Sequence, residues 1–579
     1  EGRLTWIVYI VGAVVRGRLS SSSAESQEVI DGDLAARVFH LLQLTDTGFH
    51  QTRYGEQSRQ RLDMSILAFF QSFRKVYVGE QAMHSSKVYT RLSERLGLHD
   101  HLMVLNVIVG KIATNLKVYS LCEEAVEQTL HLFQDLAAGY MSGKLLLKLD
   151  AVNYILANHT HEHFPFLNEH ANSRNRTIFY FTLGRLLFME DTPAKFKSFM
   201  APLQIVMANL AVQSNDPVSF RSEGAKKALV GLLRDLRGIA MATNSRRTYG
   251  LLFDWLYPAH MPLLLRAVEA WTDTPEVTTP LLKFVSEFVL NKTQRLTFDS
   301  SSPNGILLFR EVSKLIVAYG TRVLSIGQVA DPYTVKYKGI WVALTMLTRA
   351  LGGNYVNFGV FELYGDPALK DALDIALKMS LSIPLADTMA YRKVAKAYFA
   401  LLEVLCHNHT AVIASMNTET FAHVVSSLEA GLKSLDVSIS SQCASAVDNL
   451  AAYYFNHSAA GGQLDGPPPP GAQAMIQHLA ERPLLFPELL KALFEIILFE
   501  DCSNQWSLSR PMLSLILVNE QIFNDLKGQI IASQPAERQQ RLAGCFDKLM
   551  GDVARSLEPK NRDKFTQNLT IFRHDFRAK

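Results

Sequence analysis

Cysteine is scarce in this 579-residue chain: Cys122, Cys406, Cys443, Cys502 and Cys545 are all there are, and no two form a Cys-x-x-Cys pair. That argues against a disulfide framework or a cysteine zinc site and fits free thiols in a reducing compartment. An excess of one charge is lacking too. Lys and Arg number 58 against 55 Asp and Glu, a net charge of +3. Bulk nucleic-acid binding needs concentrated cations to displace counterions, so any basic role has to be local. Long apolar runs are missing as well. A membrane span takes ~20 residues, whereas the run Leu4 to Val15 stops between Arg3 and the pair Arg16 and Arg18. No clear small-residue cleavage site follows it, so the run reads as a buried helix of a repeat. The first residue is not Met, and the chain reads as an excised piece. Without a secretory signal, the Asn-x-Ser/Thr sites at Asn158, Asn175, Asn291, Asn408, Asn456 and Asn568 read as unmodified.

Motifs that carry chemistry are equally wanting. There is no Gly-x-x-x-x-Gly-Lys-Ser/Thr phosphate loop; Gly110-Lys111 comes nearest, but Ile112 stands where a hydroxyl should bind magnesium. No Gly-x-Gly-x-x-Gly follows a strand, and neither a Gly-x-Ser-x-Gly elbow nor a His-Glu-x-x-His pair occurs. No cofactor is expected, and the chain does not read as an enzyme. The one cluster with metal-ligand character is His159, His161 and His163 around Glu162. Alternating residues on a short loop point apart, so a polar turn with histidines facing water and helix carbonyls is expected in place of a zinc site.

What the sequence does have is apolar residues, 48% of the total against 20% charged, and they recur at helical spacing. Stripes of three to five turns end repeatedly at Gly, Pro or Asp/Ser clusters. Leu62, Ile66, Phe69, Phe70, Phe73, Val76 and Tyr77 form one, stopping at Gly79. Leu102, Leu105, Val109, Ile112 and Leu116 form another, with Asp100 as its cap. Leu308, Val312, Leu315, Ile316 and Tyr319 follow Ser302 and Pro303, which suit a cap and a first helical position, and Gly320 suits the end. Phe546, Leu549, Met550, Val553 and Leu557 repeat the spacing before Pro559. Residues Tyr355 to Tyr364 alone look strand-like, and an isolated strand leaves its backbone groups unpaired, so an irregular connection is expected there.

Helix pairs recurring every ~40–50 residues carry the period of HEAT or armadillo repeats. A chain this long exceeds a single core of ~250–300 residues. The expected fold is therefore all-α: a right-handed α-solenoid of HEAT/ARM-like hairpins, continuous over residues 1–579, in which each pair buries its faces only on its neighbours. Residues 458–472, with Gly461, Gly462, Gly466 and Pro467 to Pro470, read as an exposed inter-helix loop. A proline-rich ligand for a partner domain is the alternative there.

The strongest basic constellation is Lys226, Lys227, Arg234 and Arg237, extended by Arg246 and Arg247. Lys227, Arg234 and Arg237 share one side of a helix whose other side is Leu229, Leu232, Leu233 and Leu236. Two readings stand side by side. Asp235 and its neighbours belong to a ladder of ion pairs between repeats, or the stripe meets an acidic partner.

Several phrases, in order along the chain, resemble exportins of the importin-β superfamily of karyopherins. They are Gly2-Arg-Leu-Thr-Trp-Ile-Val-Tyr-Ile10, Leu229-Val-Gly-Leu-Leu-Arg-Asp-Leu-Arg-Gly-Ile-Ala240 and Ser301-Ser-Pro-Asn-Gly-Ile-Leu-Leu-Phe-Arg-Glu311. Tyr355-Val-Asn-Phe-Gly-Val-Phe361, Phe499-Glu-Asp-Cys-Ser-Asn-Gln-Trp-Ser507 with Ser509-Arg-Pro511, and Lys560-Asn-Arg-Asp-Lys-Phe-Thr-Gln-Asn568 continue the series. The resemblance covers essentially the whole chain and implies the C-terminal half of a nuclear transport receptor. Such receptors bind protein cargo together with Ran-GTP, pass nucleoporins and shuttle between nucleus and cytoplasm. It further implies a monomer that neither inserts into membranes nor touches nucleic acid directly, and a principal Ran contact in an N-terminal domain outside this chain. Neither the proline run nor the histidine triplet matches a motif of that family. A generic HEAT scaffold for a protein complex is the competing reading.

Overall fold

The computed structural model describes residues 2–17, 25–46, 56–79, 86–190, 192–458 and 466–578. Among them every regular element is helical. The chain divides into two compact units, Glu1–Val323 and Leu324–Lys579.

In the first unit a row of helices runs α1 (Gly2–Arg16), α2 (Glu56–Tyr77), α3 (Glu123–Ala138), α4 (Ser173–Leu187), α5 (Glu223–Ala242) and α6 (Pro275–Phe288). Each packs on the next, most extensively α4 on α5 and most lightly α2 on α3. This is the neighbour-on-neighbour burial that a helical hairpin requires, since each has two apolar faces and no closed core of its own. The second unit repeats the scheme with α7 (Lys338–Gly352), α8 (Arg392–Asn408), α9 (Val437–His457), α10 (Gln505–Val518) and α11 (Pro559–Arg577). Both units are α-solenoid in construction. Aromatic side chains fill the seams, with Phe39 and Phe70 centroids 5.5 Å apart in the first unit and Phe546 and Phe572 4.8 Å apart in the second.

Polar rungs tie one repeat to the next across sequence distances of 50 to 66 residues. Arg221 reaches Asp273, 52 residues on, at 2.9 Å, and Tyr337 donates to Asp387, 50 residues on, at 2.7 Å. Arg510 and Asp563, 53 residues apart, lie at 2.9 Å. Lys111, almost wholly buried, sits between Asp63 at 2.8 Å and Asp46 at 3.1 Å. The apolar stripes bury as their spacing predicts: Phe69, Phe73, Ile112, Leu116, Val312 and Ile316 are all inside. Helix His101–Val118 is long and apolar enough to cross a bilayer, but its Val104, Leu105, Ile108, Val109, Ile112 and Leu116 are buried among neighbours. Asp100 caps this helix as expected, its side chain accepting from Met103 N.

Several boundaries differ from expectation. Helix Asn304–Leu324 runs through Gly320, because its last turn still has Val323 to bury. Its start falls one residue past Pro303, whose carbonyl accepts from Leu307 N. The stripe ending at Leu557 is broken after Leu549, where Gly551 and Asp552, at φ 58°, turn the chain out of the helix. Residues Tyr355 to Phe358 are irregular and lead into a short helix, Gly359–Leu363. The Pro/Gly-rich break is shorter than 458–472: Pro470 opens helix Pro470–Glu481, a first position that its missing N–H and fixed φ suit. Residues 459–465 lie outside the described residues.

The largest departure concerns α1. It buries Val8, Val11, Gly12 and Val15 on α2, yet Trp6 is 70% exposed and Ile7 and Ile10 are more than half exposed. Instead of a buried helix, it is a half-buried one, because among the described residues only one of its sides meets a neighbour.

Candidate functional site

The basic stripe lies on α5. Ser222 caps this helix by accepting from Ala225 N, and Leu229, Leu232, Leu233 and Leu236 are buried beneath it. Glycine decides how close α4 comes. A Cβ on Gly238 would stand 2.5 Å from Thr177 O and 2.8 Å from Phe181 N, closer than real Cβ atoms come to any neighbour, and both obstacles are main chain. Thr177 Oγ1 in turn donates to the Arg234 carbonyl at 3.3 Å. The two backbones are thereby fixed against each other.

An ion pair locks the same junction. Arg176 on α4 grips Asp235 in two-pronged fashion, Nε to Oδ1 at 2.7 Å and Nη2 to Oδ2 at 2.6 Å. Burial raises the Asp235 pKa and Arg176 opposes it; with both oxygens taken by one guanidinium, the pair stays ionised. Asp235 thus belongs to the ladder between repeats. So does Lys226, which contacts Glu276 at 2.9 Å and is held charged by that hydrogen bond. Arg246 goes to Asp299 at 2.5 Å, and Arg247 also has a partner. Of the expected stripe and its extension, Lys226 and Arg246 therefore already have carboxylate partners.

Lys227, Arg234 and Arg237 are different. Lys227 is exposed, Arg234 and Arg237 are half-buried, and none has an acidic partner among the described residues. The Nε atoms of both arginines are buried without a hydrogen-bond acceptor. Burial lowers the Arg234 pKa, and Arg174, Arg237 and Arg176 lower it further by repulsion. Burial lowers that of Arg237, with Glu287 working against it. Glu287 already serves Lys292 at 3.0 Å and Arg295 at 3.4 Å. Arg174, exposed on α4, was not among the residues singled out by helical spacing on α5. Its only signal was position: it stands two residues before Arg176, the partner of Asp235. Such a cluster offers planar donor forks to carboxylates.

The histidines do not converge. His159 is 2% exposed, lies 4.1 Å from the Phe199 ring centroid, and shares a 3.1 Å hydrogen bond with Tyr180 Oη. Burial pushes its pKa down to about 4. It is a core ring, contrary to the expected water-facing turn, because Tyr180 and the His159 carbonyl satisfy each other at 2.9 Å. His163 bonds Tyr154 at 3.1 Å and His161 is exposed. No group of three His, Cys, Asp or Glu among the described residues is placed to hold a metal ion. Cys406 and Cys443 are buried thiols, the former pushed up to about 12 by desolvation.

Residues 1–175 match a protein-family model described as "Exportin-7-like, TPR domain". TPR and HEAT units are both helix pairs, of about 34 and about 40–47 residues; rungs 50 to 66 residues apart sit nearer the longer unit. Exportin-7-B of Xenopus laevis is 46% identical over 585 residues, taking in 99% of this chain and 53% of that protein. Ran-binding protein 17 of Mus musculus is 43% identical over 587 residues, with the same shares. Exportin-7 of Dictyostelium discoideum is 38% identical over 582 residues, covering 100% of this chain and 57% of its own. The chain spans about half the length of these curated relatives. From its first helix to its last, it is homologous to exportin-7 and Ran-binding protein 17.

Proposed function

We propose that the chain is the C-terminal half of an exportin-type nuclear transport receptor. The observation that carries this reading is the identity of 46% to an exportin-7 maintained over 99% of the chain. The receptor binds protein cargo cooperatively with Ran-GTP, passes the pore through contacts with nucleoporins, and shuttles between nucleus and cytoplasm as a monomer. Residues 1–579 act as one continuous solenoid, and the main Ran contact lies outside them. Cooperativity here is linkage: Ran and cargo each favour one curvature of the repeats, so each raises the other's affinity by the same factor. The receptor performs no chemistry of its own, and Lys227, Arg234 and Arg237 contribute to contact with an acidic partner, while Lys226 supports the helix that carries them.

The test is a pull-down from nuclear extract with the complete receptor, with and without Ran locked in its GTP form. Cargo capture that depends on Ran-GTP is the expected result. Stable partners captured equally in both states would instead mark a scaffold for a protein complex.

A further inference from the structure

Cations around the α4–α5 junction fall into two groups. Arg176, Lys226 and Arg246 have carboxylate partners at 2.6, 2.9 and 2.5 Å. Arg174, Lys227, Arg234 and Arg237 have none among the described residues. A fold that needed only inter-repeat bridges would not hold three unpaired guanidinium groups beside one another, since like charges repel and a buried donor without an acceptor costs ~1–3 kcal/mol. Both Arg234 Nε and Arg237 Nε are in that state.

We propose that Arg174 of α4 and Arg234 and Arg237 of α5 form a clamp for an acidic protein segment, one carrying at least two Asp or Glu carboxylates, with Lys227 adding charge at its edge. This rests on the partner-surface reading of the α5 stripe and names what that surface takes. Arg234 and Arg237 are three residues apart on one helical face, and Arg174 stands on the facing helix, so the forks are spread over two elements and one small anion does not satisfy all three. The supports are rigid: Gly238 lets α5 lie against the Thr177 carbonyl, and Arg176 and Asp235 pin the same turn. Arginine, with its planar donors, suits paired carboxylate oxygens. Nucleic acid fits poorly. The cluster is short, three guanidinium groups and one ammonium, whereas a phosphodiester backbone calls for an extended cationic track.

The experiment is fluorescence anisotropy with the full chain and a labelled octaglutamate peptide, with single-stranded oligonucleotide and inorganic phosphate as competitors. The wild-type chain is expected to bind the peptide. The triple variant Arg174→Gln, Arg234→Gln, Arg237→Gln is expected to weaken it at least tenfold with an unchanged melting curve, and Lys226→Gln to leave it within twofold. The double variant Arg234→Lys, Arg237→Lys keeps the charge and loses the forks, and is expected to bind several-fold more weakly than wild type. Equal loss in Lys226→Gln and the triple variant, full retention in either multiple variant, or tighter binding of oligonucleotide or phosphate than of peptide would each overturn the clamp. The same variants in the Ran-GTP pull-down separate the two readings. Peptide binding lost with capture intact keeps the clamp and removes it from transport; capture lost with peptide binding intact overturns the clamp alone.

Discussion

Arg295 donates from Nη1 to the carbonyl of Ala240, 55 residues earlier, at 2.6 Å, and so closes the C-terminal end of a helix in the preceding repeat. The same guanidinium reaches Thr243 O at 3.0 Å and Leu290 O at 2.9 Å, and it lies 5.3 Å from the centroid of Tyr249. Its side chain is fully buried, yet most of its hydrogen bonds go to main-chain carbonyls at helix ends, which it shares with local donors: Ala240 O also accepts from Thr243, and Leu290 O from Lys292 N.

Replacing Arg295 by Lys keeps the charge and loses the fork. The Thr243 carbonyl then loses its guanidinium donor, and the Ala240 and Leu290 carbonyls keep only their local ones, for a cost of about 1–3 kcal/mol. Urea unfolding followed by circular dichroism should show the loss. A midpoint unchanged from wild type would mean that charge alone closes the helix end.

Gly238→Ala should destabilise the first unit by about 2 kcal/mol or more, because the new methyl meets main-chain atoms that cannot rotate away. Gly224→Ala, on the same helix with nothing within 4 Å of the new carbon, is the control and should be neutral or slightly stabilising. Thermal melts of the two variants side by side check the contrast.

Asp235→Asn leaves Arg176 largely buried beside a neutral amide. Breaking one side of such a pair costs about 3 kcal/mol. The loss should appear as faster amide hydrogen exchange in α4 and α5 together, since the pair joins them; exchange confined to α5 would count against a bridge between repeats.

His159 makes stability depend on acid. Its folded pKa of about 4 lies below the ordinary 6.5, so the unfolded chain takes up the proton first. The stabilisation is complete above 6.5 and drains away as pH falls towards 4. Between pH 7 and pH 5 wild type should lose about 2 kcal/mol more than His159→Gln, which keeps a polar group without titrating. Denaturant titrations of both proteins at the two pH values give the comparison.

The helices were legible because their stripes repeat every three to four residues and water enforces the pattern: Phe69, Ile112 and Val312 went inside as their spacing required. Ends were less so. Gly320 has the composition of a terminus, but a helix end is decided by what the next turn can bury, and Val323 had a place to go. Likewise α1 had the composition of a fully buried helix, and how many of its sides are covered depends on neighbours that spacing does not reveal. At the candidate site, spacing found one face of α5 and could not tell spent cations from open ones. Lys226 and Lys227 are adjacent in sequence, yet only Lys226 has Glu276 within reach. Arg174 was invisible because it enters from another repeat. The homology to exportin-7 was carried by whole phrases such as Leu229 to Ala240, which combine the buried leucines, the close-contact glycines and the arginines in one stretch.

Members that touch only their neighbours act mechanically like springs in series, and the softest joint takes most of any bend. Here the α4–α5 joint, held by main-chain contact at Gly238 and by the grip of Arg176 on Asp235, is the stiff one, and the lightly packed α2–α3 joint is the compliant one. A load applied along the first unit therefore concentrates its angular strain ahead of the arginines and leaves their spacing unaltered.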